Sequence, residues 1–459
     1  MSKKQAVLLI HGIGEQRPMD TLRSFVDAVW SSDASVQGSR AGAGSWSKPD
    51  TVSESFELRR LTTVRNAAEI RTDFFEFYWA HLMPGTTYVH LASWLKSLLL
   101  RRPSTVPRHL VGVYVLLLFG SLAALALVLY SAITQATKTE AFFPAWLSGV
   151  AGVLLLPLVG WILRKIVGDA ARYLHVAPDN IQCRHQIRAA GIKLLAALND
   201  RGYERIVVVG HSLGSVIGYD ILNHAWASVH EKHVDASLQE AALAEVERQA
   251  VNPAPGDSAE TLRAAQREYV RKLRASGNPW RVTDFVTLGS PLAHAAVLLG
   301  RDLPDLEGKQ ASREFPKCPP VTETTTRLGK QHAEFSFESN HTQPSGSRVA
   351  HHAAVFAATR WTNLYFPSRG ILWGDVVGGP LSGLFGPGVR DVKVRTGMRS
   401  GIFQHTLYWS RPSAGAMTHV DALRHAIDLL DGKPRVVGAR AASAPPRPTS
   451  TEQTTEQTR

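Results

Sequence analysis

The sequence predicts an α/β fold with a mostly parallel sheet flanked by helices, and two observations support it. Short apolar segments rich in β-branched and aromatic residues recur along the chain, and segments with helical spacing separate them. Apolar segments without polar alternation are typical of strands buried on both faces of a parallel sheet. The candidate strands are AVLLIHG (6–12), FFEFYWA (74–80), RIVVVGH (205–211), DFVTLGS (284–290) and TNLYF (362–366).

The N-terminal candidate strand is distinguished from a secretion signal by its length. Its apolar run, Ala6–Ile10, is too short for the hydrophobic region of a signal peptide and ends at His11 and Gly12. The best helical pattern is CRHQIRAAGIKLLAALNDRGY at 183–203, directly before the central strand. Its leucines share one face, and Gly202 suits the end of a helix.

The composition is that of a folded, basic protein. The 459 residues are 44% hydrophobic and carry a formal charge of +12, which favours contact with anionic surfaces. Because the sequence lacks a basic stripe interleaved with aromatics, we expect acidic lipid headgroups as the partner and no nucleic acid. The two cysteines, Cys183 and Cys318, are too few for a disulfide framework. The histidines lack zinc-ligand spacing, so we expect no metal and no other cofactor.

Two uncharged segments interrupt the alternating pattern. They are LVGVYVLLLFGSLAALALVLYSAIT (110–134) and AFFPAWLSGVAGVLLLPLVGWIL (141–163), and each is long enough to cross a bilayer as a helix. Basic residues stand before the first and after the second, whereas the connector QATKTE carries one lysine and one glutamate. The positive-inside rule then predicts an inner-membrane hairpin whose two outer ends, and the catalytic domain attached to them, are cytoplasmic.

The hairpin divides the predicted domain into two halves. We expect an N-terminal half at 1–100, the membrane insert at 101–170 and a C-terminal half at 171–432. Within the latter, 230–280 predicts two excursion helices broken by NPAPGD, and 300–350 predicts a long polar loop. Residues 433–459 are too polar to order themselves and predict a disordered tail. Oligomeric state cannot be inferred from these features.

The segment IVVVGHSLG at 206–214 places a serine between two glycines at the end of a buried strand. A strand–turn–helix of this kind projects the Ser212 hydroxyl from the sheet, and only glycine fits at Gly210 and Gly214 beside it. The following helix begins with free N–H groups, which favour developing negative charge, so the N–H of Leu213 is one candidate oxyanion donor. The loop after the first strand offers the second, the N–H of Ile13.

These motifs resemble the α/β-hydrolase superfamily, and within it the lipase-like serine hydrolases. The residues that carry the resemblance are HGIG at 11–14, GHSLG at 210–214 and TLGSPL at 287–292. The resemblance implies a Ser–Asp–His triad in that chain order, with Ser212 as the nucleophile. It also implies cleavage of an ester or amide through an acyl-enzyme.

The acid and the base of such a triad each have two candidates. Asp375 lies in a glycine-flanked turn after the TNLYF strand, with Asp391 as the alternative acid. His405 follows a short apolar run and resembles the His-x-x-Tyr-Trp ending of related hydrolases. His419 is the alternative base, but it would start a helix, whose positive dipole end disfavours the imidazolium that forms during catalysis.

Together these features predict a membrane-anchored serine hydrolase that cleaves acyl lipids, as a lipase, phospholipase or lipid esterase. Two alternatives stay open at this point. One is a membrane-tethered protein of the same fold without catalytic activity, and the other is an exported toxin lipase.

Overall fold

The computed structural model describes residues 3–13, 17–38, 44–53, 55–83, 111–137, 173, 178–251, 259–327, 330–368, 373–396, 404–411 and 418–433. Within these ranges the chain forms an α/β structure around an eight-stranded sheet. Its strands are β1 (Lys4–Ile10), β2 (Ser45–Pro49), β3 (Arg59–Arg65), β4 (Arg71–Phe77), β5 (Arg205–His211), β6 (Val282–Leu288), β11 (Arg360–Tyr365) and β12 (Arg390–Lys393). Two small antiparallel hairpins stand apart from it, formed by β7 (Glu323–Arg327) with β8 (Lys330–Glu334), and by β9 (Ser336–Ser339) with β10 (Ser347–Ala350).

The strand order is β12-β11-β6-β5-β1-β4-β3-β2. From β12 to β4 all neighbouring strands are parallel, whereas β2 and β3 are antiparallel additions at one edge. The five strands predicted from the sequence are present at the expected positions. The antiparallel edge and β12 were not predicted, because SWSKP, RRLTTVR and RDVK are polar or charged and lack an apolar run.

Helices cover both faces of the sheet, and the core divides accordingly into two clusters. Leu8, Val208 and Phe285 point to one face, while their neighbours Val7 and Val209 point to the other. This alternation of fully buried side chains explains why the central strands are apolar throughout. The longer described helices are Asp20–Val26, Val111–Thr137, Pro178–Asp200, Leu213–Ala227, Ser237–Val251, Ala259–Ala275, Leu303–Ala311 and Thr418–Ile427. Single-turn helices lie at Ala34–Gln37, Ala295–Leu298, Val355–Ala358 and Ser382–Phe385.

The two predicted excursions have different outcomes. Residues 230–280 contain the two expected helices, Ser237–Val251 and Ala259–Ala275. The prediction of a long loop at 300–350 was wrong, because this stretch contains the helix Leu303–Ala311 and both small hairpins. Its strands are rich in Thr, Ser and charged residues and are held by backbone pairing and by contact with helix Ser237–Val251, which local composition does not reveal.

The first uncharged segment is helical from Val111 to Thr137. Among its described side chains, the exposed large apolar ones recur at intervals of three, four or seven residues, which places them on one face, whereas Leu118 and Leu127 are half-buried. The exposed ones are Val115, Phe119, Leu122, Leu129 and Ile133. In the described part of the chain no helix qualifies by length and hydropathy as a membrane span, and several side chains of Val111–Thr137 lie outside that part. The second segment, 141–163, and the tail from 434 onward lie outside the described residues as well. The membrane hairpin stays a prediction.

The described segments on either side of the insert lie at the edge of the sheet at which the parallel strands end. β4 is parallel to β1 and β5, and it leads into a short helical turn, Ala80–Leu82, that contacts helix Pro178–Asp200. That helix is about 34 Å long and joins β5 through only four residues at the opposite edge, so its first residues lie beside the carboxyl ends of the strands. The chain therefore leaves the sheet and returns to it on the side where Ser212 is located.

Candidate active site

Ser212 occupies a sharp turn between β5 and helix Leu213–Ala227. Its backbone has φ 51° and ψ −128°, a conformation that residues other than glycine rarely adopt. The N–H of Ser212 donates to the carbonyl oxygen of Leu288 on the neighbouring strand at 2.9 Å, which fixes the turn against the sheet. Strained backbone of this kind persists where surrounding contacts over-determine it, and such positions cluster at functional sites.

The glycines on both sides of this turn are required by close backbone contacts. A Cβ atom on Gly210 would lie 2.5 Å from Cα of Ser215. A Cβ on Gly214 would lie 2.2 Å from the carbonyl oxygen of Ile10. Because both obstacles are backbone atoms, no side-chain movement could relieve them. The steric role predicted for the two glycines therefore has a direct geometric basis.

His405 contacts the Ser212 hydroxyl directly. It lies in the helical turn Gln404–Thr406, and its Nε2 is 2.8 Å from Oγ of Ser212. The side chain of His405 is 20% exposed, whereas Ser212 is 3% exposed. Its other ring nitrogen, Nδ1, lies 3.0 Å from each carboxylate oxygen of Asp375. With the proton on Nδ1, Nε2 is free to accept the serine proton.

Asp375 is fully buried and receives four hydrogen-bond donors. Besides the His405 ring, the backbone N–H groups of Val377 and Gly378 donate to Oδ1 at 2.9 and 3.0 Å, and the Tyr408 hydroxyl donates to Oδ2 at 2.7 Å. Burial would raise the pKa of the carboxyl group, but the hydrogen bonds and the charge interaction with His405 outweigh burial and hold the pKa at about 2. The group is therefore ionised at neutral pH.

Sequence reasoning missed two residues that complete this arrangement. Tyr408 belongs to the His-x-x-Tyr-Trp segment, yet its bond to Asp375 joins positions 33 residues apart and cannot be inferred from spacing. Gly289, within TLGSPL, has φ 56°, and a Cβ there would lie 2.7 Å from Oδ2 of Asp375. A glycine is therefore needed at this position for the carboxylate to reach its place, and the sequence signal that could have found it is a glycine directly after an apolar strand.

The predicted oxyanion donors lie next to Ser212. Leu213 is the first residue of its helix, where N–H groups have no partner within the helix. Ile13 follows Gly12 in the loop after β1, and this loop passes so close to the serine that a Cβ on Gly12 would lie 2.9 Å from Cβ of Ser212. Leu213 and the loop that carries Ile13 both adjoin Ser212, and the role of their N–H groups as oxyanion donors stays a prediction.

The alternative acid and base belong to other interactions. Asp391 accepts hydrogen bonds from the Asn363 amide at 2.7 Å and from the backbone N–H groups of Leu381 and Ser382, so it orders the turn before helix Ser382–Phe385. His419 is buried, and its Nε2 lies 2.8 Å from the carbonyl oxygen of Ser410. In the described structure neither residue contacts Ser212, so Asp391 and His419 are not brought into the site.

Two further buried histidines surround the serine and are uncharged. Burial is the largest cause that lowers the pKa of His211 to about 3 and that of His11 to about 4. His11 stacks on Trp79, with ring centroids 5.0 Å apart, and the indole N–H donates to its carbonyl oxygen. Among the described residues, no group of three or more His, Cys, Asp or Glu side chains is arranged to hold a metal ion.

Comparison of the chain with protein-family models, with curated proteins and with solved structures finds no match.

Proposed function

We propose that this protein is a serine ester hydrolase. The observation that carries the proposal is the continuous hydrogen-bonded series from Oγ of Ser212 through the ring of His405 to the carboxylate of Asp375, with distances of 2.8 and 3.0 Å. A serine hydroxyl is a weak nucleophile unless an adjacent base accepts its proton, and a third group must fix the tautomer of that base. The hydroxyl, the imidazole and the carboxylate come together from three separate turns of the chain, which supports the proposal.

In the proposed mechanism, Nε2 of His405 accepts the hydroxyl proton as Oγ of Ser212 attacks the ester carbonyl carbon. The N–H groups of Leu213 and Ile13 donate to the oxyanion, and ionised Asp375 stabilises the imidazolium. His405 then gives its proton to the departing alcohol, which leaves an acyl-serine. In the second half, His405 takes a proton from water, the hydroxide attacks the acyl carbon, and the proton returns to Ser212 as the acid leaves.

We further propose that the substrate is an acyl lipid in the membrane that anchors the protein. The helix Val111–Thr137 is uncharged and exposes apolar side chains along one face, which suits contact with lipid. The described segments that flank the insert, Ala80–Leu82 and Pro178–Asp200, meet at the sheet edge that carries Ser212, which supports a bilayer on the side of the serine. The formal charge of +12 adds attraction to anionic headgroups.

The first experiment uses the full-length protein in detergent micelles. The wild-type protein should hydrolyse a short p-nitrophenyl ester and react covalently with a fluorophosphonate probe, since only an activated serine does so. Ser212→Ala should lose both activities. Ser228→Ala is the matched control, because Ser228 lies at the other end of the same helix, where its hydroxyl donates to the carbonyl oxygen of Ala225. If Ser212→Ala keeps probe labelling, the proposed nucleophile is wrong; a wild-type protein that never reacts would favour a non-catalytic role.

The second experiment tests the membrane part of the proposal. The protein should remain in the pellet when membranes are extracted with alkaline carbonate. It should also hydrolyse a long-chain acyl ester faster in reconstituted vesicles than in dilute detergent, where the lipid is no longer concentrated around the insert. Release by carbonate, or equal rates in both settings, would contradict membrane anchoring while leaving the esterase mechanism intact.

A further inference from the structure

We propose that His211, the neighbour of the nucleophile, is a positioning residue that holds the backbone of His405 in place. The proposal rests on the proposed function, because it assigns His211 a role in the same site. Nε2 of His211 lies 2.8 Å from the carbonyl oxygen of His405, and the two rings are 5.1 Å apart. Through this contact the turn that carries the nucleophile binds the loop that carries the base.

The contact requires that the His211 ring donates a hydrogen bond from Nε2. A carbonyl oxygen only accepts, so Nε2 must carry a proton. The ring is buried, and the titratable or charged groups that face it are His405, Asp375 and His11. Because His405 becomes positively charged during catalysis, a neutral His211 can donate without adding a second positive charge beside it. The edges of Tyr408 and Trp409 pack against the ring and keep it oriented.

The position of the His405 ring depends on this bond for a geometric reason. Asp375 fixes the ring at one end, but a ring held only by a side chain could pivot away from the serine. The His211 bond fixes the main chain of the same residue, and His211 is joined to Ser212 by a single peptide bond. The N–H of Ser212 is itself bonded to the carbonyl oxygen of Leu288 in β6, so β6 holds the nucleophile turn directly and the His405 backbone through His211. Misplacement by about 1 Å can lower a rate by about 100-fold.

The test compares two substitutions of similar length. His211→Met removes the donor, whereas His211→Gln keeps an amide N–H near the position of Nε2. We expect His211→Met to lower kcat for a short p-nitrophenyl ester, and the rate of fluorophosphonate labelling, by about 10- to 100-fold with little change in KM. His211→Gln should restore most of the rate. His233→Met is the control, because Nε2 of His233 also lies against a backbone carbonyl, that of His230 at 2.9 Å, beyond the far end of helix Leu213–Ala227.

Melting temperature separates positioning from folding, since both His211 variants must melt near the wild-type protein for the rates to be compared. A folded His211→Met with kcat within about twofold of wild type would overturn the proposal, as would a His211→Gln that is as slow as His211→Met. An independent readout is the imidazole N–H signal of His211 in spectra of histidine-labelled protein, which should be shielded from solvent exchange and should persist in Ser212→Ala. If the wild-type protein shows no esterase activity, the proposed function fails; absence of that shielded signal refutes the contact itself.

Discussion

Replacement of Asp375 by asparagine is the substitution whose effect can be worked out most fully from the structure. Oδ1 of Asp375 accepts two backbone N–H groups, from Val377 and Gly378, so only a carbonyl oxygen can occupy that position. The amide NH2 group of the introduced asparagine must therefore take the place of Oδ2, where it faces Nδ1 of His405 and the Tyr408 hydroxyl, which then accepts a hydrogen bond instead of donating one. An amide donates, so it would bind the tautomer of His405 that carries its proton on Nε2.

That tautomer cannot accept the proton of Ser212, because Nε2 is already protonated. In serine proteases with a Ser–His–Asp triad the equivalent change leaves the geometry intact and lowers kcat by about 10⁴-fold, and we expect a loss of that order for Asp375→Asn. In free-energy terms this is about 5 to 6 kcal/mol of lost transition-state stabilisation. The variant should remain folded, because the amide has the shape of the carboxylate and keeps both backbone contacts at Oδ1.

The assay is turnover of a p-nitrophenyl ester, with melting temperature as the measure of folding. Asp391→Asn is the matched control, since Asp391 also accepts backbone N–H groups in a turn but does not contact His405. We expect Asp391→Asn to lower the melting temperature while the folded fraction keeps near wild-type kcat. A folded Asp375→Asn that loses less than about 10-fold in kcat would refute the tautomer argument, and loss of activity in Asp391→Asn alone would transfer the acid role to that residue.

Three other outcomes follow from the same coordinates. Tyr408→Phe should lower kcat about 10-fold and reduce the melting temperature, because it removes a hydrogen bond to buried, charged Asp375; unchanged kinetics would show that this bond has no catalytic effect. Gly214→Ala should prevent stable folding or lower the melting temperature strongly, because its Cβ would lie 2.2 Å from a carbonyl oxygen. The control is Gly308→Ala, in a helix with open space around it, which should be neutral or stabilising by up to about 1 kcal/mol. Similar melting temperatures for the two variants would contradict the steric argument. Burial raises the pKa of Glu76 from 4.5 to about 7, so between these values the folded state keeps a proton that the unfolded state loses, and the free energy of unfolding declines as pH rises. Glu76→Gln should therefore reduce the loss of stability between pH 5 and pH 8 by about 2 to 3 kcal/mol, measured by denaturant unfolding at both pH values. An unchanged pH dependence would rule out a buried carboxyl group with a raised pKa at this position.

The strands of the central sheet could be located from sequence, and the physical reason is that they are buried on both faces. RIVVVGH and AVLLIHG contain only side chains that a parallel sheet can cover, so local composition already carries the information. The edge strands behave differently. β2 and β12 are short and polar, and they form because a neighbouring strand offers unpaired backbone groups, which is a property of the partner and not of their own residues.

The candidate site divides in the same way. The amino-acid sequence by itself determined the nucleophile turn, because the need for Gly210 and Gly214 beside Ser212 is local and steric. It also narrowed the acid and the base to two candidates each. Only the tertiary structure decided between them, since a hydrogen bond between positions 193 residues apart depends on how three loops meet at one edge of the sheet. The contacts of His211 and Tyr408 could likewise be found only in the tertiary structure, because hydrogen bonds between distant loops produce no pattern in the amino-acid sequence.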